Sequence, residues 1–303
     1  MLTAVRLGGY AGVLGLVFGA AWAAGSAFGP APVVTPPAAV SPQMGGAPMA
    51  DMPEAPHATG TTRPAADGLA SFAGGYGLRP VTTAFTAGSS ARLDLTIDGP
   101  DGRPLTSFAA RPDSTPLRLL VVRRDGAGLQ VLSPTMAPDG TWSTPLRLPT
   151  AGAWRVLADF TPVGGAAMVL GTDVFVPGPF GPLEFPPARA AQVDGYQVRI
   201  DGDLTAGTPS ALFATVSRDG RAVTDLEPEQ GTFGRLVALR VGDLAYTPVT
   251  ALTRAVSSAD RSGPAIAFTA EVPTDGSYRL FLLFRHDGEI HTVDFTVPTA
   301  PAR

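Results

Sequence analysis

Arg92-Leu93-Asp94-Leu95-Thr96-Ile97 sets apolar residues at every second position, the period of a strand with one buried and one solvated face. A turn follows at Asp101-Gly102-Arg103-Pro104-Leu105-Thr106. The same phrase returns later: an alternating run from Ala211 to Val216 ends in Asp219-Gly220-Arg221-Ala222-Val223-Thr224. Working outward, five more segments repeat in the same order. Gly74-Gly75-Tyr76-Gly77-Leu78 matches Asp194-Gly195-Tyr196-Gln197-Val198, and Phe85-Thr86-Ala87-Gly88 matches Leu204-Thr205-Ala206-Gly207. The run Arg118 to Arg123 matches Arg235 to Arg240, and Leu148 to Val156 matches Val272 to Leu280. Asp173-Val174-Phe175-Val176-Pro177 matches Asp294-Phe295-Thr296-Val297-Pro298. Ordered self-similarity of this kind is the mark of a duplicated unit.

Within each repeat, short β-rich runs are separated by Asp-Gly and proline turns. Trp154, Val156 and Ala158 alternate with Arg155, Leu157 and Asp159, and Tyr278, Leu280 and Leu282 repeat the pattern. No stretch beyond residue 30 carries a helical period. The expectation is an all-β chain with two tandem immunoglobulin-like antiparallel sandwiches, over 68–178 and 188–303, joined by a proline-rich connection at 179–187. That connection is short, so the sandwiches should lie close, with Phe180, Leu183 and Phe185 in the crease between them.

Ahead of the repeats, residues 7–29 carry no charge, and 23 such residues suffice to span a bilayer as a helix. Arg6 precedes the run and the next charge is Asp51, which predicts the N-terminus inside and the rest outside. Residues 1–29 read as a transmembrane anchor, or as a signal peptide cut near Ala21-Trp22-Ala23, and either reading places the sandwiches outside the cytoplasm. Residues 30–67 are proline-rich and poor in large apolar side chains, as expected of an extended disordered spacer.

The 303 residues contain no cysteine and no lysine; all basic residues are arginine, the composition of a GC-rich genome. Disulfides, thiolate metal sites and a cysteine nucleophile are excluded. A net charge of −4 argues against a nucleic-acid partner. No Gly-x-Ser-x-Gly elbow, His-Glu-x-x-His helix or phosphate-binding glycine loop occurs, so no catalytic residue and no small-molecule substrate is expected. Asp98 with Asp101, and Asp201 with Asp203, sit in Asp-Gly contexts that read as turns rather than calcium loops.

The phrases Leu119-Leu120-Val121-Val122-Arg123-Arg124-Asp125, Val156-Leu157-Ala158-Asp159-Phe160 and Leu236-Val237-Ala238-Leu239-Arg240 resemble those of actinobacterial membrane-anchored proteins with two YtkA-like, immunoglobulin-type domains. The resemblance covers essentially the whole chain. It implies heavy-metal or copper handling, through a strand histidine and a His-x-His pair in each domain. Here Arg118, Val131 and Ser133 stand at those positions in the first repeat, and Arg235, Pro248 and Thr250 in the second. Valine, proline and a permanently protonated guanidinium offer a metal no lone pair. The chain thus reads as a non-catalytic, cofactor-free binding or scaffold protein for an unidentified protein partner. The alternative is a copper or heavy-metal chaperone or sensor using Met44, Met49, Met52 and His57 in the spacer, with His286 and His291. Those last two flank an Asp-Gly turn and read as solvated turn residues.

Overall fold

The computed structural model describes residues 66–111, 115–255 and 257–300. The predicted anchor at 1–29, nearly all of the spacer, and Met44, Met49, Met52 and His57 lie outside the described residues. Among the described residues no helix is long and apolar enough to cross a membrane. Every regular element there is a strand, and the strands pair antiparallel.

The first half of the chain builds β1 (Phe72–Ala73), β2 (Tyr76–Pro80), β3 (Ser90–Asp98), β4 (Leu117–Arg123) and β5 (Gln130–Leu132). It continues with β6 (Thr135–Met136), β7 (Trp142–Arg147), β8 (Gly152–Phe160) and β9 (Met168–Val176). These form one sheet in the order β1-β2-β3-β7-β6 and a second in the order β5-β4-β8-β9. The second half supplies β10 (Ala190–Val193), β11 (Tyr196–Asp201), β12 (Ser210–Arg218), β13 (Arg221–Ala222) and β14 (Arg235–Arg240). After them come β15 (Tyr246–Thr247), β16 (Val249–Ala251), β17 (Ala265–Ala270), β18 (Ser277–His286) and β19 (Glu289–Pro298). They repeat the plan: β10-β11-β12-β17-β16, with β13 on β12, and β15-β14-β18-β19. Leaving aside the short β1 and β10, each half has the strand order of an immunoglobulin-type sandwich.

Each half closes over its own core. In β3, Leu93, Leu95 and Ile97 are fully buried, as the alternation requires, and pack with Trp142, Trp154 and Phe160. The second core gathers Tyr196, Leu212, Phe268, Tyr278, Phe284 and Phe295. Asp194-Gly195, Asp219-Gly220 and Asp287-Gly288 each take positive φ at both residues, the turn whose twist matches a two-residue hairpin. The turn carboxylates are engaged locally: Asp98 pairs with Arg79 at 2.7 Å and Asp203 with Arg189 at 3.0 Å, while the Asp101 carboxylate accepts from the Arg103 amide at 3.1 Å.

A corner contact ties each sandwich at the same place. The Tyr278 hydroxyl donates to the carbonyl of Thr274, four residues back, at 2.9 Å. This is the tyrosine corner of immunoglobulin-type folds, at the start of the strand that enters the core. In the first half Trp154 takes the position, its indole nitrogen donating to the Thr150 carbonyl at 3.1 Å. Arg123 donates to the Thr150 hydroxyl and Arg240 to the Thr274 hydroxyl, both at 2.9 Å.

β4 departs from simple alternation: all seven of its residues are buried. Leu117, Leu119 and Val121 face the core of their own sandwich, whereas Leu120 and Val122 face the other way. There they meet Val237, Leu239, Leu244 and Phe281 of the second half, with Leu157 and Val169. The sheets β5-β4-β8-β9 and β15-β14-β18-β19 thus pack on one another through a shared apolar layer. Backbone and side-chain hydrogen bonds stitch it: the Tyr246 amide donates to the Asp67 carbonyl at 2.8 Å, and Arg279 to the Gly126 carbonyl at 3.2 Å. Of the connection residues, Phe185 stacks on the Arg279 guanidinium at 3.7 Å and Phe180 covers Arg123 at 5.4 Å. Leu183 lines a cleft with Arg124 of the first half and Leu244 of the second, is 55% exposed there, and donates its backbone amide to Asp125 at 2.8 Å.

Candidate functional site at the seam

Arg118 and Arg235 occupy matching places, each on the seam-facing side of its strand, two residues from Leu120 and Val237 respectively. Their cross-strand neighbours differ. Arg118 lies opposite Asp159, while Arg235 lies opposite Leu283. Asp159 is buried and receives three guanidinium bonds: two from Arg111, at 2.8 and 2.9 Å, and one from Arg118 at 3.2 Å. Arg235 donates to the side-chain oxygen of Gln230.

These charges are crowded in a poorly solvated space. Burial, followed by the nearby charge of Arg235, lowers Arg118 to about 10, with Asp159 pulling the other way. Arg235 is lowered too, again first by burial and then by Arg111. The Tyr246 hydroxyl is enclosed among them: burial and the Asp159 charge push it up to about 12 against the three arginines.

A cavity of about 190 Å³ opens here, lined by Arg111 and Arg118 from the first half and by Arg235, Arg254, Thr232 and Thr250 from the second. A second cavity, also about 190 Å³, adjoins it through Gln230, Thr232 and Arg235 and is lined by Val131 and Ser133. Five of the six positions singled out in the sequence therefore converge on this seam: Arg118, Val131, Ser133, Arg235 and Thr250. Pro248 lies between β15 and β16. The convergence spans both repeats and was not readable from spacing within either one.

His286 and His291 are not solvated turn residues. Both are buried, at 8% and 6% exposure, because they flank the Tyr196 ring. His286 Nδ1 lies 2.7 Å from the Tyr196 hydroxyl and its Nε2 3.0 Å from Asp225, so both ring nitrogens have partners. His291 Nδ1 lies 2.8 Å from Asp194. Tyr196 opens β11 and Asp225 follows β13, so neither partner is near the histidines in sequence. Among the described residues no group of three or more His, Cys, Asp or Glu is placed to hold a metal ion.

A family model described as a domain of unknown function (DUF8832) matches residues 191–301, the second sandwich with its side of the seam. A search of the curated proteins finds no match. Among solved structures, a DUF4426 family protein from Pseudomonas aeruginosa PAO1 is similar at 8% identity, over 40% of this chain and 100% of that one, with a TM-score of 0.27. The Escherichia coli adhesin FdeC is similar at 17% identity, over 75% of this chain and 64% of its own, with a TM-score of 0.24. Invasin, a bacterial integrin-binding protein, is similar at 11% identity, over 75% of this chain and 40% of its own, with a TM-score of 0.23. The chain thus spans less than two thirds of the adhesin and invasin chains.

Proposed function

We propose that this chain is a non-catalytic binding or scaffold protein held outside the membrane by residues 1–29, and that it is a relative of the YtkA-like metal-handling proteins whose histidine site has been replaced. The observation that carries the reading is the convergence of Arg118, Val131, Ser133, Arg235 and Thr250 on one seam. A histidine set there would draw ligands from both repeats. The guanidinium groups there repel a cation, valine offers it no lone pair, and the serine and threonine hydroxyls are poor ligands for copper beside imidazole. His286 and His291 do not make up the loss, since their partners are Tyr196, Asp225 and Asp194 within the second sandwich.

Calorimetric titration of the full chain with Cu(I), Cu(II) and Zn(II), beside the triple variant Arg118→His, Val131→His, Ser133→His, tests this. Silence from the native chain and binding by the variant is the expected result. Submicromolar binding by the native chain would overturn it. Loss of that binding on replacing Met44, Met49 and Met52 by leucine and His57 by glutamine would establish the copper-chaperone reading instead.

A further inference from the structure

The chain enters the sandwiches along their seam. Residues 66–70 lie parallel to the edge of β9: the Val169 amide donates to the Ala66 carbonyl at 2.9 Å, the Gly68 amide to the Val169 carbonyl at 2.8 Å, and the Gly171 amide to the Ala70 carbonyl at 2.9 Å. Arg155, 5% exposed, donates to the Gly68 and Leu69 carbonyls at 2.5 and 2.6 Å and pairs with Asp173. Gly68 rests on Leu157 and Val169, two members of the apolar layer, and a methyl group there would stand 2.5 Å from Leu157. A methyl group on Gly171 would overlap the Gly68 carbonyl oxygen. The Asp67 carbonyl accepts from the Tyr246 amide of the second sandwich at 2.8 Å. One short segment thus touches both sides of the seam.

We infer that residues 66–70 form a detachable strap that holds the seam shut, so that the segment by which the chain enters decides whether the two sandwiches stay packed. The strap's own hold is polar. Leu69 and Ala70 are exposed, and Gly68, the one buried residue of the five, has no side chain. A segment held by backbone hydrogen bonds, with little apolar surface of its own buried, opens before the cores on which it rests. The duplication supplies a contrast. Arg279, which matches Arg155, also reaches a glycine carbonyl, that of Gly126, at 3.2 Å. Gly126, however, lies in the connection between β4 and β5, and Arg279 is further held by Thr296, Asp294 and the Phe185 ring. That contact parts only if a sandwich moves, whereas the Arg155 contact parts when the strap peels away. Peeling uncovers Leu157 and Val169 and frees the Tyr246 amide, while Leu95 and Ala214 stay inside their own sandwiches.

Hydrogen–deuterium exchange on the full chain tests this through the amides of Gly68, Val169, Gly171 and Tyr246, all donors in the strap's contacts. In the native chain these four should exchange as one group, and sooner than the amides of Leu95 and Ala214. Gly171→Ala, which displaces Gly68, should speed exchange of the Tyr246 amide at least about tenfold and raise the binding of an apolar fluorescent dye, with Leu95 and Ala214 unchanged. Arg155→Lys keeps the charge but not the guanidinium fork; it should speed the same amides by less, and it serves in place of Gly171→Ala if that variant does not fold. Two results overturn the strap. If the Tyr246 amide and dye binding are indifferent to both variants, residues 66–70 are a passenger on a seam closed by its apolar layer alone. If the four amides exchange only together with Leu95 and Ala214, or the variants speed all of them equally, residues 66–70 are an integral strand of the fold.

Discussion

Asp159 is the residue on which the seam's electrostatics turn. It is buried, and Arg111 and Arg118 both donate to it. Asp159→Asn leaves those cations facing a neutral amide, and breaking a buried pair in this way costs about 3–5 kcal/mol. Asp203→Asn is the control: its pair with Arg189 is largely exposed and should be worth less than about 1 kcal/mol. Urea denaturation of the two variants measures the difference, and equal losses would refute the central role of Asp159. Tyr246 gives the seam a signature in alkali. Below pH 10 its phenol is protonated in folded and unfolded chains alike. Between pH 10 and about 12 the unfolded phenol ionises while the folded one does not, so stability falls as pH rises, by roughly 3 kcal/mol over the window. Arg118, lowered in the fold, acts with the opposite sign from about pH 10 upward. Tyr246→Phe should therefore gain stability relative to the native chain between pH 9.5 and 11.5, and parallel pH profiles would contradict this. The partners in these contacts were not legible in the sequence. Arg118 and Asp159 stand 41 positions apart, and which acid meets which base is decided by strand register. The two turn histidines were misjudged for the same reason, since the ring that buries them is Tyr196, some 90 residues away.

At the level of elements, the sequence was most informative where one face meets water. The alternation over Arg92–Ile97 names the buried residues of β3 correctly, and the Asp-Gly pairs mark three hairpin turns. It was least informative where both faces are covered. Leu117-Arg118-Leu119-Leu120-Val121-Val122 has apolar residues on both parities, the composition of a strand covered on both sides. A strand of that kind inside a two-sheet sandwich needs something outside the sandwich to cover it, and that signal was present but unused. Trp154 and Tyr278 were legible as equivalent positions. Their shared work, a hydrogen bond to the carbonyl four residues back, was not, because tryptophan and tyrosine reach it with different atoms.

At the scale of the molecule, the seam should make the two sandwiches unfold together. Its apolar layer includes Leu120, Val122, Leu157, Val237, Leu239 and Phe281, all buried. Burying one such side chain contributes about 1.5–3 kcal/mol, so the layer is comparable to the stability of a small domain. Differential scanning calorimetry of the native chain should show one cooperative transition over the sandwiches. Val237→Asp places a charge in the layer and should split it into two, with the earlier one at lower temperature. Two transitions in the native chain would mean that the halves are energetically independent.

A seam of this kind also constrains inheritance. Once Leu120 and Val237 shelter each other, neither half can drift alone: a polar change in one exposes the other, and selection sees them as a single trait. Relatives in which one sandwich occurs by itself should carry polar residues at the positions of Leu120, Val122, Val237, Leu239 and Phe281. A chimera that exchanges one half between distant relatives should fail unless both sides of the layer come from the same parent.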